Sequence, residues 1–151
     1  MMIESSQKYI RREVKEMELR KASGMDWVRI FNAMCHKDEI PFCTPTQVLY
    51  DFQNNREYIV VEGEKILATV SLVEEPQYGY TAIKRLCILN KKNQGKGIAR
   101  FAIHEIQKMV KGKIGGTPWI DNAPVCHLFE SEGFTLQYIF NEKWCFYVKE
   151  V

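Results

Sequence analysis

The chain has 151 residues, 46% of them hydrophobic, which suits one domain over residues 1–151 built on a continuous core. Lysine and arginine number 21 against 19 aspartates and glutamates, and the net charge of +2 is too small to hold a nucleic-acid backbone by counterion release. Five scattered cysteines without a C-x-x-C pair exclude a zinc clasp or dithiol couple, and no window approaches the roughly 20 apolar residues of a membrane span, so no metal and no membrane partner are expected. Reduced thiols and the absence of an apolar leader core in residues 1–18 fit a cytoplasmic protein.

Residues 1–13 show no decisive periodicity. Met17 and Leu19 alternate with charged neighbours, predicting a half-buried strand that Ser23-Gly24 ends. Trp27, Val28, Phe31, Met34 and Cys35 recur at helical spacing, with Asp26 placing negative charge in the first turn, where the helix dipole favours it. Thr44-Pro45-Thr46-Gln47 is a capping box with proline at the first helical position, and Val48, Leu49 and Phe52 continue that second helix. Tyr58 to Val61 and Ile66 to Val73, β-branched runs around Glu62 to Lys65, predict a hairpin. Past Pro76 and Gly79, Thr81 to Leu89 is a third apolar run, ending at Asn90-Lys91-Lys92-Asn93.

Gln94 to Ala99 follow, and Ala99, Ala102, Ile103, Ile106, Met109 and Val110 form one face of a helix that Lys111-Gly112 closes. Trp119-Ile120-Asp121 predicts a short strand. Asn122 caps a last helix, with Pro124 in its first turn and Gly133 at its end. Two strands, Leu136–Phe140 and Trp144–Val148, are joined by Asn141-Glu142-Lys143. The predicted order is β-α-α-β-β-β-α-β-α-β-β, a mixed α/β sheet.

A strand, a glycine turn and a helix start make a phosphate site, because backbone N–H groups at a helix N-terminus point outward and the dipole favours anions. Lys96 adds a point charge there. A nucleoside-triphosphate loop needs lysine followed by serine or threonine after its second glycine, whereas Lys96 precedes Gly97. A dinucleotide fingerprint needs a third glycine where Arg100 stands, and an acidic residue about 20 positions on, where Gly115 to Trp119 supply none. The bland alternative is a helix that merely begins in a flexible turn.

Gln94-Gly95-Lys96-Gly97-Ile98-Ala99 resembles the Q/R-x-x-G-x-G/A loop of the GNAT N-acetyltransferase family in full, and Cys87-Ile88-Leu89-Asn90 looks like that family's fourth strand. Asn122, Leu128, Glu130, Gly133 and Phe134 fall in register with a second family pattern, with Val125 where a small residue is usual and Phe129 where tyrosine is usual. The resemblance implies an α/β (α+β) fold with a mixed, mostly antiparallel sheet flanked by helices, and acetyl-coenzyme A as co-substrate. Carried over residue by residue, it implies a cofactor site of Cys87, Ile88, Leu89, Gln94, Gly95, Lys96, Gly97, Ile98, Ala99, Asn122 and Phe129. The implied reaction moves an acetyl group to the primary amine of a small molecule, peptide or protein, in a monomer or homodimer. The alternative is a non-catalytic acyl-coenzyme A sensor of the same fold.

A tyrosine hydroxyl can return a proton to a departing thiolate; Phe129 cannot. Cys126 lies about 60° around the helix from Phe129 and is the nearer candidate donor, whereas His127 lies about 160° around. Cys126 also reads as a small buried hydrophobe. Phe129 itself fits a structural place, packing on Phe134 at a Schellman end. For the base, Asp121, Glu74 and Glu75 are the nearby carboxylates, since the third apolar run carries Lys84-Arg85 and no acid; His36 and His104 are further options. The acceptor is expected between the early helices and the final hairpin, around Lys37–Thr46 and Tyr138–Trp144.

Overall fold

The computed structural model describes residues 16–35 and 44–151. The readings for residues 1–13, His36, Cys43 and most of the Lys37–Thr46 segment lie outside them. The described elements are β1 (Met17–Lys21), α1 (Asp26–Cys35), α2 (Pro45–Gln53), β2 (Glu57–Glu62), β3 (Lys65–Glu75), β4 (Tyr80–Ile88), α3 (Ile98–Met109), β5 (Lys113–Gly116), α4 (Ala123–Ser131), β6 (Thr135–Phe140) and β7 (Trp144–Glu150). This is the predicted order. Single 3-10 turns at Pro76–Tyr78 and Lys91–Asn93 flank β4.

The strands form one sheet in the order β1-β2-β3-β4-β5-β7-β6. β4 and β5 are parallel, and the other neighbours are antiparallel. An apolar layer under α3 and α4 gathers Val70, Ile83, Ile103, Ile106, Ile114, Leu128, Phe129 and Tyr147. A second layer, under α1 and α2, gathers Ile30, Met34, Val48, Ile59, Val61 and Cys87. The sheet is therefore covered on both faces, which explains strands such as β2 and β3 that are apolar without clean alternation.

Local signals act where they were read. The Thr44 hydroxyl accepts from the Gln47 N–H (3.3 Å), and the Gln47 side-chain Oε1 accepts from the Thr44 N–H (3.0 Å), completing the capping box. Asp26 does more than sit in a first turn: both its oxygens accept from Arg20 on β1 (2.8 and 3.1 Å), tying α1 to the sheet edge. The Asn141-Glu142 turn has φ of 52° and 60°, the left-handed pair that suits a tight hairpin.

The fifth strand is not where it was predicted. It occupies Lys113–Gly116, while Trp119 meets Trp144 in an isolated bridge and Asp121 lies in the loop before α4. Gly115 and Gly116 read as a loop because glycine has no strand preference, yet the packing demands them. A Cβ on Gly115 would stand 2.7 Å from the Tyr147 carbonyl oxygen, and one on Gly116 would stand 2.3 Å from the Phe129 ring.

Candidate active site

The pairing of β4 with β5 runs from Thr81↔Ile114 to Ile83↔Gly116 and ends there. Beyond that point a cleft of about 1710 Å³ opens, with Lys84 to Leu89 along one side and Thr117 to Trp119 along the other. It continues past Asn90 to the glycine turn and the start of α3. Trp144, Asp121, Asn122 and Phe129 also border it.

Each end of the cleft is built by local chain geometry. Gly95 and Gly97 both have φ of 77°, a region closed to most side chains, and Gly97 is the N-cap of α3. The turn they make sets the start of α3, whose first N–H groups lack partners within the helix, at the border of the cleft, where an anion is favoured. Opposite, Asn122 caps α4, its side-chain oxygen facing the Val125 N–H at 3.4 Å. Arg100, the residue that excluded a dinucleotide fingerprint, joins the two helices by donating to Ser131 Oγ (2.8 Å) and Glu132 (3.1 Å).

Of the sequence-derived donor-site residues, Cys87, Ile88, Leu89, Gln94, Gly95, Gly97, Ile98, Ala99, Asn122 and Phe129 all border this one cleft. The Lys96 side chain is exposed and does not; Lys92 and Arg100 do. Phe129 is 4% exposed and held on three sides, stacked on Tyr147 (5.6 Å), edge-on to Phe134 (5.0 Å) and lying over Gly116. The Phe134 N–H donates to the Phe129 carbonyl (3.0 Å) and Gly133 has φ of 89°, the Schellman end read from the sequence.

The two candidate catalytic side chains part company. Asp121 borders the cleft, whereas Cys126 lines a separate depression on the other side of α4 with His127, Glu130, Cys145 and Tyr147. Burial, aided by Cys145, pushes the Cys126 thiol up from its ordinary pKa. One turn of helix from Phe129 is close in angle, but the side of α4 that borders the cleft is that of Pro124, Val125, Leu128 and Phe129. Glu75 pairs with Lys84 (3.3 Å), and His104 sits beside Glu132 on the outer side of α3 (3.3 Å).

Sequence reading missed a buried polar cluster beneath the cleft wall. Opposite Val70, β4 carries two residues, Arg85 and Leu86, because Thr69 pairs with Cys87 and Ser71 with Lys84. Arg85 takes a left-handed φ of 51° at this bulge and donates to Asp51 of α2. Asp51 also faces Ser71 Oγ (2.9 Å), which lies 2.6 Å from Glu57; Thr69 Oγ1 meets the other Glu57 oxygen. Asp51 and Glu57 are each 1% exposed.

A serine hydroxyl has one hydrogen and cannot donate to two carboxylates. Its hydrogen therefore serves one of them at a time, while Arg85 donates to Asp51 and Thr69 donates to Glu57. Burial drives the Glu57 carboxyl above its ordinary 4.5, and the hydrogen bonds it accepts from the Ser71 and Thr69 hydroxyls oppose that rise. A carboxyl raised in the folded state stabilises fully below its unfolded pKa and loses that contribution as pH rises through the folded one. Stability is therefore expected to fall from pH 4.5 upward through Glu57. Asp26, held low by Arg20, acts oppositely and only below its ordinary 3.8. Glu57→Gln, a neutral mimic, is expected to flatten the upper slope in denaturant melts at stepped pH; an unchanged slope places the proton elsewhere.

The split between β4 and β5, the bulge and the glycine-turned helix start together shape the cleft. The model of the acetyltransferase (GNAT) family matches residues 25–134, and the chain belongs to that family. No curated protein matches the sequence significantly. Among solved structures, a GNAT-family acetyltransferase from Streptococcus agalactiae superposes with a TM-score of 0.74 at 14% identity, covering 89% of this chain and 95% of its own. The spermidine N-acetyltransferase of Vibrio cholerae, in complex with CoA and spermine, gives 0.67 at 20% identity, with 88% and 94% covered. The ribosomal-protein-S18-alanine N-acetyltransferase of Escherichia coli gives 0.66 at 14%, with 88% and 92% covered. At such identities the likeness is one of fold. Among the described residues no helix is long and apolar enough to cross a membrane, and no cluster of side chains could hold a metal ion.

Proposed function

We propose that this protein transfers an acetyl group from acetyl-coenzyme A to a primary amine of a small molecule or polypeptide. The observation that carries the reading is the single continuous cleft running from the glycine turn at 94–97, along β4, to the split beside β5. A cleft that joins a glycine-turned helix start to an unpaired stretch of strand suits a ligand with a phosphate end and a long amide-bearing arm. In this reading Gln94 to Ala99 take the pyrophosphate, Lys92 and Arg100 add charge at the mouth, and Cys87 to Leu89 flank the arm. Phe129 and Asn122 close the opposite side.

The chemistry rests on placing the thioester carbonyl against an incoming neutral amine, since ordering two reactants supplies a large share of a transfer barrier. In this reading Asp121, the carboxylate that borders the cleft among the described residues, takes the amine's proton directly or through water. With phenylalanine at 129 the departing thiolate draws its proton from solvent. Phe129 also favours a second reading, an acyl-coenzyme A sensor without turnover.

Calorimetry with coenzyme A, followed by thiol release from acetyl-coenzyme A over a panel of amines, separates these. Micromolar affinity with turnover on at least one amine supports the transferase. Affinity and thermal stabilisation without turnover supports the sensor. Absence of coenzyme A binding sinks both.

A further inference from the structure

The buried cluster beneath the bulge has no place in the acetyl-transfer reading given above. Four elements contribute to it: Asp51 from α2, Glu57 from β2, Thr69 and Ser71 from β3, and Arg85 from β4. Thr69 and Ser71 are the two residues flanking Val70, which faces the bulge across the β3–β4 ladder. The polar groups thus converge on the one point where β4 departs from regular pairing. We propose that Asp51 is a positioning residue for the cleft: by gripping Arg85 it holds the bulge, and with it the Lys84 to Leu89 wall.

Three observations support this. First, arginine at a φ of 51° sits in a conformation that side chains other than asparagine and aspartate avoid, so something outside β4 has to hold it there. Second, a buried carboxylate paired with a guanidinium often stabilises a core no more than apolar packing would, so the Asp51–Arg85 pair is assigned here a role in fixing geometry. Third, the grip is itself anchored: Arg56 Nη1 stands 3.8 Å from Asp51, the Arg56 N–H donates to the Asp51 carbonyl (2.8 Å), and Ser71 stands between the Asp51 and Glu57 carboxyls. Regular pairing resumes on both sides of the bulge, so a slackened grip would move the wall between Ile83 and Leu89 first.

That the wall serves acetyl-coenzyme A rests on the proposed function; the grip itself does not. The test uses Asp51→Asn, which keeps the shape and the Ser71 contact but loses the negative charge that faces Arg85, and the double variant Asp51→Asn with Arg85→Gly. Glycine adopts the bulge conformation without a clamp. In Asp51→Asn, backbone amide signals of residues 84–89 are expected to shift and exchange at least ~10-fold faster, with a ~10-fold loss of coenzyme A affinity. The double variant is expected to regain most of that affinity and the wild-type protection. Wild-type signals and affinity in Asp51→Asn overturn the proposal. So does a double variant that stays as weak as the single, because the guanidinium would then be touching the ligand itself. If Asp51→Asn alone does not fold, a folded double variant with an ordered wall supports the grip and an unfolded one refutes it. Wild-type protein that binds no coenzyme A removes the functional reading, while the amide signals still decide the grip.

Discussion

Gly97→Asp is expected to weaken coenzyme A binding at least ~100-fold while leaving the protein folded. Gly97 sits at the N-cap of α3 with φ of 77° and ψ of 13°, and a Cβ there would meet nothing within 4 Å. The cost to the fold is therefore conformational, and aspartate and asparagine are the side chains that bear a left-handed backbone best. The cost to the ligand is electrostatic. A carboxylate about 4 Å from a phosphate opposes it by about 4 kcal/mol at an effective dielectric near 20. Solvent at this exposed loop reduces that, and ~100-fold in Kd corresponds to about 2.7 kcal/mol. Gly97→Asn carries the same backbone strain without the charge and is expected to stay within about fivefold of wild type. Calorimetry on both variants checks the pair. Equal affinities for Asp and Asn would show that no phosphate lies at this loop.

The parts of the molecule that were legible in the sequence are those decided within a few residues of chain. The Thr44 capping box, the Gly97 helix start and the Gly133 helix end each depend on neighbours at i+3 to i+5, and each is present. The parts that were not legible are decided across the sheet. Lys113–Gly116 becomes a strand because β4 and β7 lie on either side of it, although two of its four residues are glycine. The bulge at Arg85 is set by the register of β3 and by Asp51, 34 positions away in the chain. A helical wheel placed Cys126 near Phe129 but could not say which strip of α4 faces the cleft. That is fixed by how α4 seats on β7: Cys126 lines the depression it shares with Cys145 and Tyr147, while Phe129 borders the cleft. The carboxylates sought near the middle of the sheet exist, yet they came from α2 and β2 and are buried beneath the wall instead of bordering the cleft.

Gly116→Ala is expected to destabilise the protein by about 3 kcal/mol, the upper end for overpacking. The added Cβ would lie 2.3 Å from Phe129 Cζ and 2.9 and 3.1 Å from the two adjoining ring carbons, so the ring has to move. It has little room to do so, being stacked on Tyr147 at an interplanar angle of 7° and set edge-on to Phe134 at 74°. For a chain of this size the loss corresponds to a fall in Tm of roughly 6–12 °C. Removing the obstacle should return part of it: with Phe129→Leu in the same chain, Gly116→Ala is expected to cost less than half as much, a coupling that a double-mutant cycle of thermal melts measures directly. Costs that simply add would mean that the ring does not rest on Gly116. The same contact bears on the cleft, because Phe129 is both the ring that Gly116 makes room for and part of the wall facing β4. A glycine that escaped strand prediction thus determines where the aromatic side of the proposed donor site stands.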